Sequence, residues 1–219
     1  MKDVIIVSGG NIQRDFALDF LQKNKKKNGC LVAADKGVEF FIKTDWVPDV
    51  AVGDFDSLSA AGEKYLDSLK ETEIVRLKPE KDDSDTQSAV NFAIDRGAKN
   101  ITIFGATGNR IDHLLANFGL LVLGRERDAD ITLIDKWNYM KLVESGTVLK
   151  KKEQFGKYVS FFSLEGDMPG LTLVGFKYPL DHYHLRVSDS GLTVSNEIEA
   201  EEAVVSFDGK YLLMLMTRD

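Results

Sequence analysis

The first 135 residues alternate between two hydrophobic periods. Short apolar runs rich in β-branched residues end in glycine or acidic residues, which is typical of buried strands that open into loops. Between these runs, apolar residues recur with the spacing of a helix face, as at Phe16, Phe20 and Leu21. The pattern predicts strands at residues 2–7, 30–34, 50–52, 73–77 and 100–104 and one ending at 134, and helices that include residues 16–21, 38–42, 60–69, 86–96 and 114–123.

Strand alternating with helix implies right-handed crossover connections. We therefore expect an α/β N-terminal domain with a mostly parallel, doubly wound sheet over residues 1–135. After Asp135 the period changes to short strand-like runs separated by turn signals such as Ser145-Gly146 and Asp208-Gly209. This spacing predicts an all-β sandwich or barrel as a C-terminal domain over residues 136–219. Its expected strands are residues 139–143, 148–149, 158–162, 171–174, 183–187, 192–194, 202–207 and 211–216.

Composition narrows the class of protein. The chain has 219 residues, enough for two small domains, and a formal net charge of -7, which argues against a nucleic-acid surface. Cys30 is the single cysteine, so an internal disulfide is excluded and a reducing compartment is permitted. The pattern contains no signal peptide and no membrane span. The expected location is the cytoplasm, with no nucleic-acid or membrane partner.

Two acidic clusters follow neighbouring predicted strands. Asp54 and Asp56 come directly after the third strand, and Asp82 and Asp85 come between the fourth strand and the next helix. Carboxyl ends of parallel strands meet at one edge of a sheet, where ligands bind. Taken alone, either cluster is more simply explained by turn-forming or helix-capping aspartates. Together they favour a site for Mg²⁺, because crowded carboxylates repel one another and Mg²⁺ takes a few carboxylates along with phosphate oxygens.

Glycine-containing loops follow three of the predicted strands. Glycine at a strand-to-helix turn lets backbone N–H groups approach a phosphate or nucleotide closely. Asp35 could accept hydrogen bonds from ribose hydroxyls and Lys36 could meet a phosphate, although each is equally suited to a cap or a surface charge. Each loop alone is a weak signal, since none is a Walker loop or a dinucleotide fingerprint. The candidate nucleotide-binding residues are Gly9, Gly10 and Asn11, then Asp35, Lys36 and Gly37, then Thr107 and Gly108.

Arg110 follows the third of these loops and is suited to a polyphosphate. Its planar guanidinium keeps its charge and presents a fork of N–H donors to phosphate oxygens. Asp112 and His113 lie beside it in sequence. Both can orient Arg110, contact a substrate or act on protons, and Asp112 can instead cap the following helix.

In their order along the chain, these motifs resemble those of the thiamine pyrophosphokinase family, essentially from end to end. The resemblance implies an α/β catalytic domain, a C-terminal β domain and a homodimer with active sites between subunits. It also implies transfer of the pyrophosphoryl group of ATP to the hydroxyl of thiamine, with Mg²⁺, giving thiamine diphosphate and AMP. The motifs that carry it are Gly53-Asp54-Phe55-Asp56-Ser57, Lys81-Asp82-Asp83-Ser84-Asp85-Thr86, Gly105-Ala106-Thr107-Gly108, Arg110-Ile111-Asp112-His113 with Asn117, Tyr178-Pro179-Leu180 and Ser195-Asn196-Glu197.

The resemblance also implies roles for individual residues. The four aspartates form the metal and polyphosphate site, the three glycine loops with His113 bind ATP, and Arg110 and Asp112 lie near the transferring group. Ser195 and Asn196 match a stretch that lines the thiamine pocket. Met214 stands where animal members have a tryptophan that packs on thiamine, and methionine can also pack on an aromatic ring.

Two other functions remain open from the residues alone. An aspartate-based, metal-dependent phosphohydrolase also uses an Asp-x-Asp pair after a strand, but that pair normally follows the first strand. A non-enzymatic nucleotide-binding module would keep the glycine loops without needing two acidic clusters and Arg110.

Overall fold

The computed structural model describes residues 2–24, 29–78, 82–108, 110–189 and 191–219. The chain forms two compact units, Met1–Lys136 and Trp137–Asp219, and the boundary falls one residue after the predicted one. Among the described residues, no helix combines the length and the apolar character that crossing a membrane requires.

Strands and helices alternate along the first unit, as predicted. Its strands are β1 (Asp3–Val7), β2 (Cys30–Ala34), β3 (Val50–Gly53), β4 (Glu73–Arg76), β5 (Asn100–Phe104) and β6 (Asp130–Ile134). Its helices are α1 (Arg14–Asn24), α2 (Ala60–Ser68), α3 (Asp85–Asp95) and α4 (Ile111–Glu126), with a 3₁₀ helix at Asp35–Phe41.

The six strands of this unit pair in the order β4-β3-β2-β1-β5-β6, and every pair is parallel. The order reverses at β1, which has β2 on one side and β5 on the other. Strands β1, β2 and β3 are apolar almost without interruption, and Ile6, Leu31 and Ala51 have no exposed surface, as expected when helices cover both faces of a sheet. The predicted α/β class is confirmed.

The segment predicted as a helix around residues 38–42 is the 3₁₀ helix Asp35–Phe41. Its tight winding begins with Asp35 in the left-handed region, at φ 45°. Gly37 lies against the end of β1, where a Cβ atom would be 1.9 Å from the Val7 carbonyl oxygen. Val38 and Phe41 are completely buried, so close packing on the sheet and side-chain burial explain this short helix.

The described part of the second unit contains seven strands, nearly all short. They are β7 (Asn138–Val143), β8 (Thr147–Lys150), β9 (Tyr158–Phe162), β10 (Met168–Val174), β11 (Leu180–Leu185), β12 (Glu202–Ser206) and β13 (Leu212–Thr217). Strand β13 pairs antiparallel with β7 and β9, and a four-stranded antiparallel sheet has the order β11-β10-β12-β8. Side chains from both sets of strands, including Phe161, Leu171 and Val205, form one buried cluster. This is the antiparallel β domain that the sequence predicts.

The strand predicted at residues 192–194 is wrong, because the segment is a turn. The chain still runs beside β9 there: the Phe161 N–H donates to the Thr193 carbonyl, and an isolated bridge joins Val159 to Asn196. Ser195 between them has φ 57°, which interrupts the extended backbone that a strand requires. The apolar run therefore packs on β9 without becoming a strand.

Candidate active site

A polar cavity of about 410 Å³ opens at the carboxyl ends of β1, β2 and β5. It lies where the strand order reverses, which is the usual ligand position in open parallel sheets. Predicted site residues that line it are Gly9, Gly10, Asn11, Asp35, Lys36, Asp85, Gly108, Arg110 and His113. Ser8, Ser57, Ser84, Thr86 and Asn117 also line it and were not predicted as site residues.

Glycine is required where the loops after β1 and β5 meet. The Gly10 N–H donates to the Gly105 carbonyl at 3.1 Å, and the Ser8 N–H donates to the Phe104 carbonyl at 2.8 Å. A Cβ atom on Gly10 would lie 2.2 Å from the Gly105 oxygen, far inside van der Waals contact. The two loops can therefore form one wall of the cavity only with glycine at residue 10.

Helices α3 and α4 both begin at this cavity. Ser84 caps α3 by accepting from the Gln87 N–H, and Arg110 is the N-cap residue of α4. The first turn of a helix leaves N–H groups without intrahelical partners and carries partial positive charge. Two such termini beside one cavity favour an anionic ligand such as a phosphate chain.

Three carboxylates converge beside the cavity. Among the described residues, Asp35, Asp54 and Asp85 form the group whose ligand atoms all lie within 4.8 Å of one another. Asp35 also contacts the Ser57 hydroxyl through Oδ2, while its Oδ1 is buried and has no hydrogen-bond partner among the described residues. A buried carboxylate oxygen without a donor is costly, and an oxygen in this state is suited to coordinating a cation.

Sequence reasoning assigned Asp35 to a ribose rather than to the acidic group. The sequence did contain a signal for the acidic group: Asp35 directly follows β2 just as Asp54 directly follows β3, and the two strands are adjacent in the sheet. The positive φ at Asp35, which sets the direction of its side chain, could not be predicted from the sequence.

Asp56 is exposed and is not a member of the group of three. Phe55 lies between the two aspartates with φ 63° and is 6% exposed, so burial of its ring turns the backbone between them. The Asp56 N–H donates to Asp54 Oδ1 at 3.2 Å. The negative charge of Asp54, with smaller contributions from lost hydration and from Asp35 and Asp85, raises the pKa of Asp56 above its ordinary value.

The three aspartates of the second acidic cluster differ in their positions and contacts. Asp85 at the start of α3 joins the group of three, whereas Asp82 is exposed and lies outside it. Asp83 points to α3, where it accepts from Gln87 Nε2 at 2.7 Å and from Asn91 Nδ2 at 3.1 Å. Lys81 of the same motif lies outside the described residues.

Arg110 and Asp112 form an ion pair at the cavity rim. Arg110 Nε donates to Asp112 Oδ1 at 3.1 Å, and Nη2 contacts Oδ2. The hydrogen bonds from Arg110 hold the pKa of the Asp112 carboxyl below its ordinary value. Asp112 therefore stays ionised and orients the guanidinium, and of the four roles that the sequence left open for Asp112 this arrangement favours orientation. His113 lines the cavity, and its backbone N–H donates to Asp112 Oδ1.

Two predicted nucleotide-binding residues are not among the lining residues. Gly37 packs against the Val7 carbonyl, and the Thr107 hydroxyl donates to Asp135 Oδ2 at 2.6 Å. Both therefore have contacts inside the first unit instead of facing the cavity.

The residues of the second unit that are predicted to contact thiamine are buried or hydrogen-bonded inside that unit. Met214 is 2% exposed and belongs to the core cluster. Asn196 is also 2% exposed, and its amide donates to the Tyr178 carbonyl and accepts from the Tyr178 N–H. The Ser195 N–H donates to Ser160 Oγ at 3.0 Å. These contacts stabilise the unit, and a direct contact with thiamine stays a prediction.

A parallel sheet with a cavity at its reversal point, two helix N-termini and converging carboxylates is the arrangement typical of nucleotide-binding α/β proteins. Comparison with known families makes this more specific. The model for the thiamin pyrophosphokinase catalytic domain matches residues 21–133, and that for the thiamin pyrophosphokinase vitamin B1 binding domain matches residues 146–212. The chain therefore belongs to the thiamine pyrophosphokinase family, as its motifs predict.

Relatives match over the whole length. The thiamine pyrophosphokinase of Bacillus subtilis (strain 168) is 33% identical over 221 residues, covering 100% of both chains. The crystal structure of the Bacillus subtilis enzyme superposes with a TM-score of 0.86 at 30% identity, covering 100% of both chains. That of the Geobacillus thermodenitrificans enzyme gives 0.84 at 29% identity, covering 99% of this chain and 97% of that one. The predicted enzyme class is confirmed, and neither a phosphohydrolase nor a non-enzymatic module is favoured.

Proposed function

We propose that the cavity of the first unit binds ATP together with Mg²⁺ and transfers its pyrophosphoryl group to the hydroxyl of thiamine, giving thiamine diphosphate and AMP. The observation that carries this proposal is the group of Asp35, Asp54 and Asp85 beside a cavity at which two helices begin. Family membership supports this reaction, and the geometry of the first unit supports its cavity as the place where the reaction occurs.

The carboxylate group suits Mg²⁺. Oxygens about 2.1 Å from a magnesium ion lie at most about 4.2 Å apart, so atoms within 4.8 Å of one another need only a small contraction. The buried Oδ1 of Asp35, which has no hydrogen-bond partner in the described part of the chain, would coordinate the ion. Bound there, Mg²⁺ would neutralise charge on the phosphate oxygens of ATP. Asp56 adds negative charge next to the site. Asp82, a ligand predicted from the sequence, is exposed and outside the group, so the ligand set proposed here does not include it.

The polyphosphate of ATP would contact the N-terminal turns of α3 and α4 and the two cations that line the cavity, Lys36 and Arg110. Phosphoryl transfer needs little covalent chemistry from the protein, so positioning and charge stabilisation dominate. Arg110 is kept in place by Asp112 at the rim. Because its pKa is lowered, Asp112 is a weak base, and orienting Arg110 is the role proposed for it.

We also infer a homodimer and a cytoplasmic location, where ATP and Mg²⁺ are supplied. Support for a dimer comes from α4, which is apolar on several sides: Ile111 is 71% exposed and Leu115 is 62% exposed. A helix that is apolar all round is usually covered. The second unit, with Ser195 and Asn196, is proposed to contribute to thiamine binding.

The decisive experiment incubates the protein with ATP, Mg²⁺ and thiamine and identifies the adenine product. Stoichiometric AMP with thiamine diphosphate is expected. Production of ADP would indicate transfer of a single phosphoryl group, and free phosphate without a thiamine requirement would indicate a hydrolase. Either result, or the absence of turnover, would contradict the proposed reaction.

A further inference from the structure

The loop at residues 105–108 is held by two buried side chains: Asn117, which also lines the cavity, and Asp135, which is not among the lining residues. Asp135, at the end of β6, is 7% exposed and accepts the Thr107 hydroxyl hydrogen bond at 2.6 Å. Asn117, in the second turn of α4, is 8% exposed and donates to the Ala106 carbonyl at 2.8 Å. Consecutive residues of the loop are therefore fixed by different elements.

The inner side of the same loop forms the cavity wall. Ala106 and Gly108 line the cavity, while Thr107 between them does not. Gly105 accepts from the Gly10 N–H, so the position of this loop also determines that of the loop after β1. A shift at Thr107 would thus move both glycine loops that face the proposed phosphate positions.

We propose that Thr107 and Asp135 are positioning residues for nucleotide binding: the Asp135 carboxylate holds the Thr107 hydroxyl and thereby fixes the 105–108 loop against the phosphates of ATP. This inference rests on the proposed function, because it takes ATP as the ligand. It differs from the prediction from sequence, in which Thr107 contacts ATP itself. A hydrogen bond to a buried carboxylate is stronger and more directional than one between neutral groups, which suits a positioning role.

The test measures binding of a non-hydrolysable ATP analogue with Mg²⁺ by calorimetry, and KM for ATP and for thiamine separately. Thr107→Val keeps the shape of the side chain and removes the hydroxyl, and it should weaken nucleotide binding about tenfold, the usual effect of losing an outer hydrogen-bond partner. Thr107→Ser keeps the hydroxyl and should stay within about twofold of the wild type. The KM for thiamine should change by less than about twofold in both variants.

Asp135→Asn separates positioning from direct contact. The introduced asparagine could still accept from the Thr107 hydroxyl, but the hydrogen bond would lose its charged acceptor and become weaker, so this variant also weakens ATP binding if Asp135 acts through Thr107. The Thr107→Val/Asp135→Asn double variant should be no worse than Thr107→Val, because without the hydroxyl there is no hydrogen bond left to weaken. Thr147→Val is the control, since it removes a hydroxyl hydrogen bond to Glu144 in the second unit and should leave ATP binding unchanged.

Three outcomes would overturn the inference: Thr107→Val binding ATP like the wild type, Asp135→Asn having no effect, or the two effects multiplying. If Thr107→Val does not fold, Asp135→Asn and Thr107→Ser still decide the question. Failure of the wild type to bind the ATP analogue would instead overturn the proposed function, and the inference with it.

Discussion

Asp35 combines three features at one residue: a left-handed backbone, a side-chain contact with Ser57 and a buried oxygen without a hydrogen-bond partner. A non-glycine residue with positive φ is strained by about 1 kcal/mol or more. Such strain persists only where the surroundings impose it, and here it turns the carboxylate towards Asp54 and Asp85. The strain and the missing partner are both explained if the residue is arranged for a bound cation.

Asparagine substitutions at the three converging aspartates should abolish most of the activity. Asp35→Asn, Asp54→Asn and Asp85→Asn are each expected to lower kcat about a hundredfold or more, because charge stabilisation by a bound metal is worth several kcal/mol. Raised Mg²⁺ should restore part of the loss. Asp82→Asn is the matched control, since Asp82 is exposed and outside the group, and should stay within about threefold of the wild type. An equal loss in Asp82→Asn would show that the ligand set derived from the geometry is wrong.

The raised pKa of Asp56 gives a pH prediction. Without a cation, the folded state holds this proton more tightly than the unfolded state, whose pKa is near 3.8. The free energy of unfolding should therefore fall as pH rises through the interval just above that value. At neutral pH the ionised Asp56 should feel the full repulsion from Asp54. We expect Mg²⁺ to raise Tm more at about pH 7 than at about pH 4.

Asp56→Asn checks the same point. It should raise Tm in the absence of Mg²⁺ at about pH 7, because it removes one of the repelling charges. Asp67→Asn, which neutralises an exposed carboxylate on α2, serves as the control and should have little effect. A lower Tm in the metal-free Asp56→Asn variant would contradict the repulsion inferred at this site.

At the scale of elements, the loop before α3 depends on Asp83. Its carboxylate accepts from side chains one and two turns along the helix, Gln87 and Asn91, and Asn91 in turn accepts from Arg127 after the end of α4. The position of Asp85 is thus tied to two helices.

Replacement of Asp83 should therefore affect both stability and the metal site. Asp83→Asn is expected to cost about 1–2 kcal/mol of unfolding free energy, the value of hydrogen bonds to a charged group that is partly exposed, and to raise the Mg²⁺ concentration needed for half-maximal activity. Denaturant unfolding and a Mg²⁺ titration measure the two effects. A loss of stability with an unchanged Mg²⁺ requirement would mean that Asp83 supports only the fold.

The elements themselves could be predicted from the sequence, and the directions of side chains at their ends could not. Buried parallel strands are continuous apolar runs, so β1 to β5 and the edge at which they open were predictable. The separation of Asp54 from Asp56 depends on the backbone of Phe55, and the contact of Thr107 depends on Asp135, which lies 28 residues further along. Neither leaves a periodic signal. The turn at residues 192–194 has the composition of a strand, and the left-handed backbone of Ser195 beside it, which leaves no signal in the sequence, prevents one.

At the scale of the whole molecule, the surface of α4 bears on assembly. Ile111 and Leu115 are one helical turn apart on the same face, and both are largely exposed. Burying such side chains is worth about 1.5–3 kcal/mol each, so a second copy of the chain that covers this face would be stabilised by it. The proposed homodimer therefore predicts that Leu115 lies in the contact between the two copies.

Leu115→Glu should shift the protein from dimer to monomer, because a charge in an apolar contact must be desolvated without a partner. Sedimentation velocity over a range of concentrations measures the change, and activity per chain should fall with the dimer fraction if active sites lie between subunits. Val47→Glu is the control: Val47 is 52% exposed in the same unit but lies on a loop, and its substitution should leave the assembly intact. A wild type that stays monomeric at high concentration, or a Leu115→Glu variant that still dimerises, would show that α4 is not the contact and that its exposed face needs another explanation.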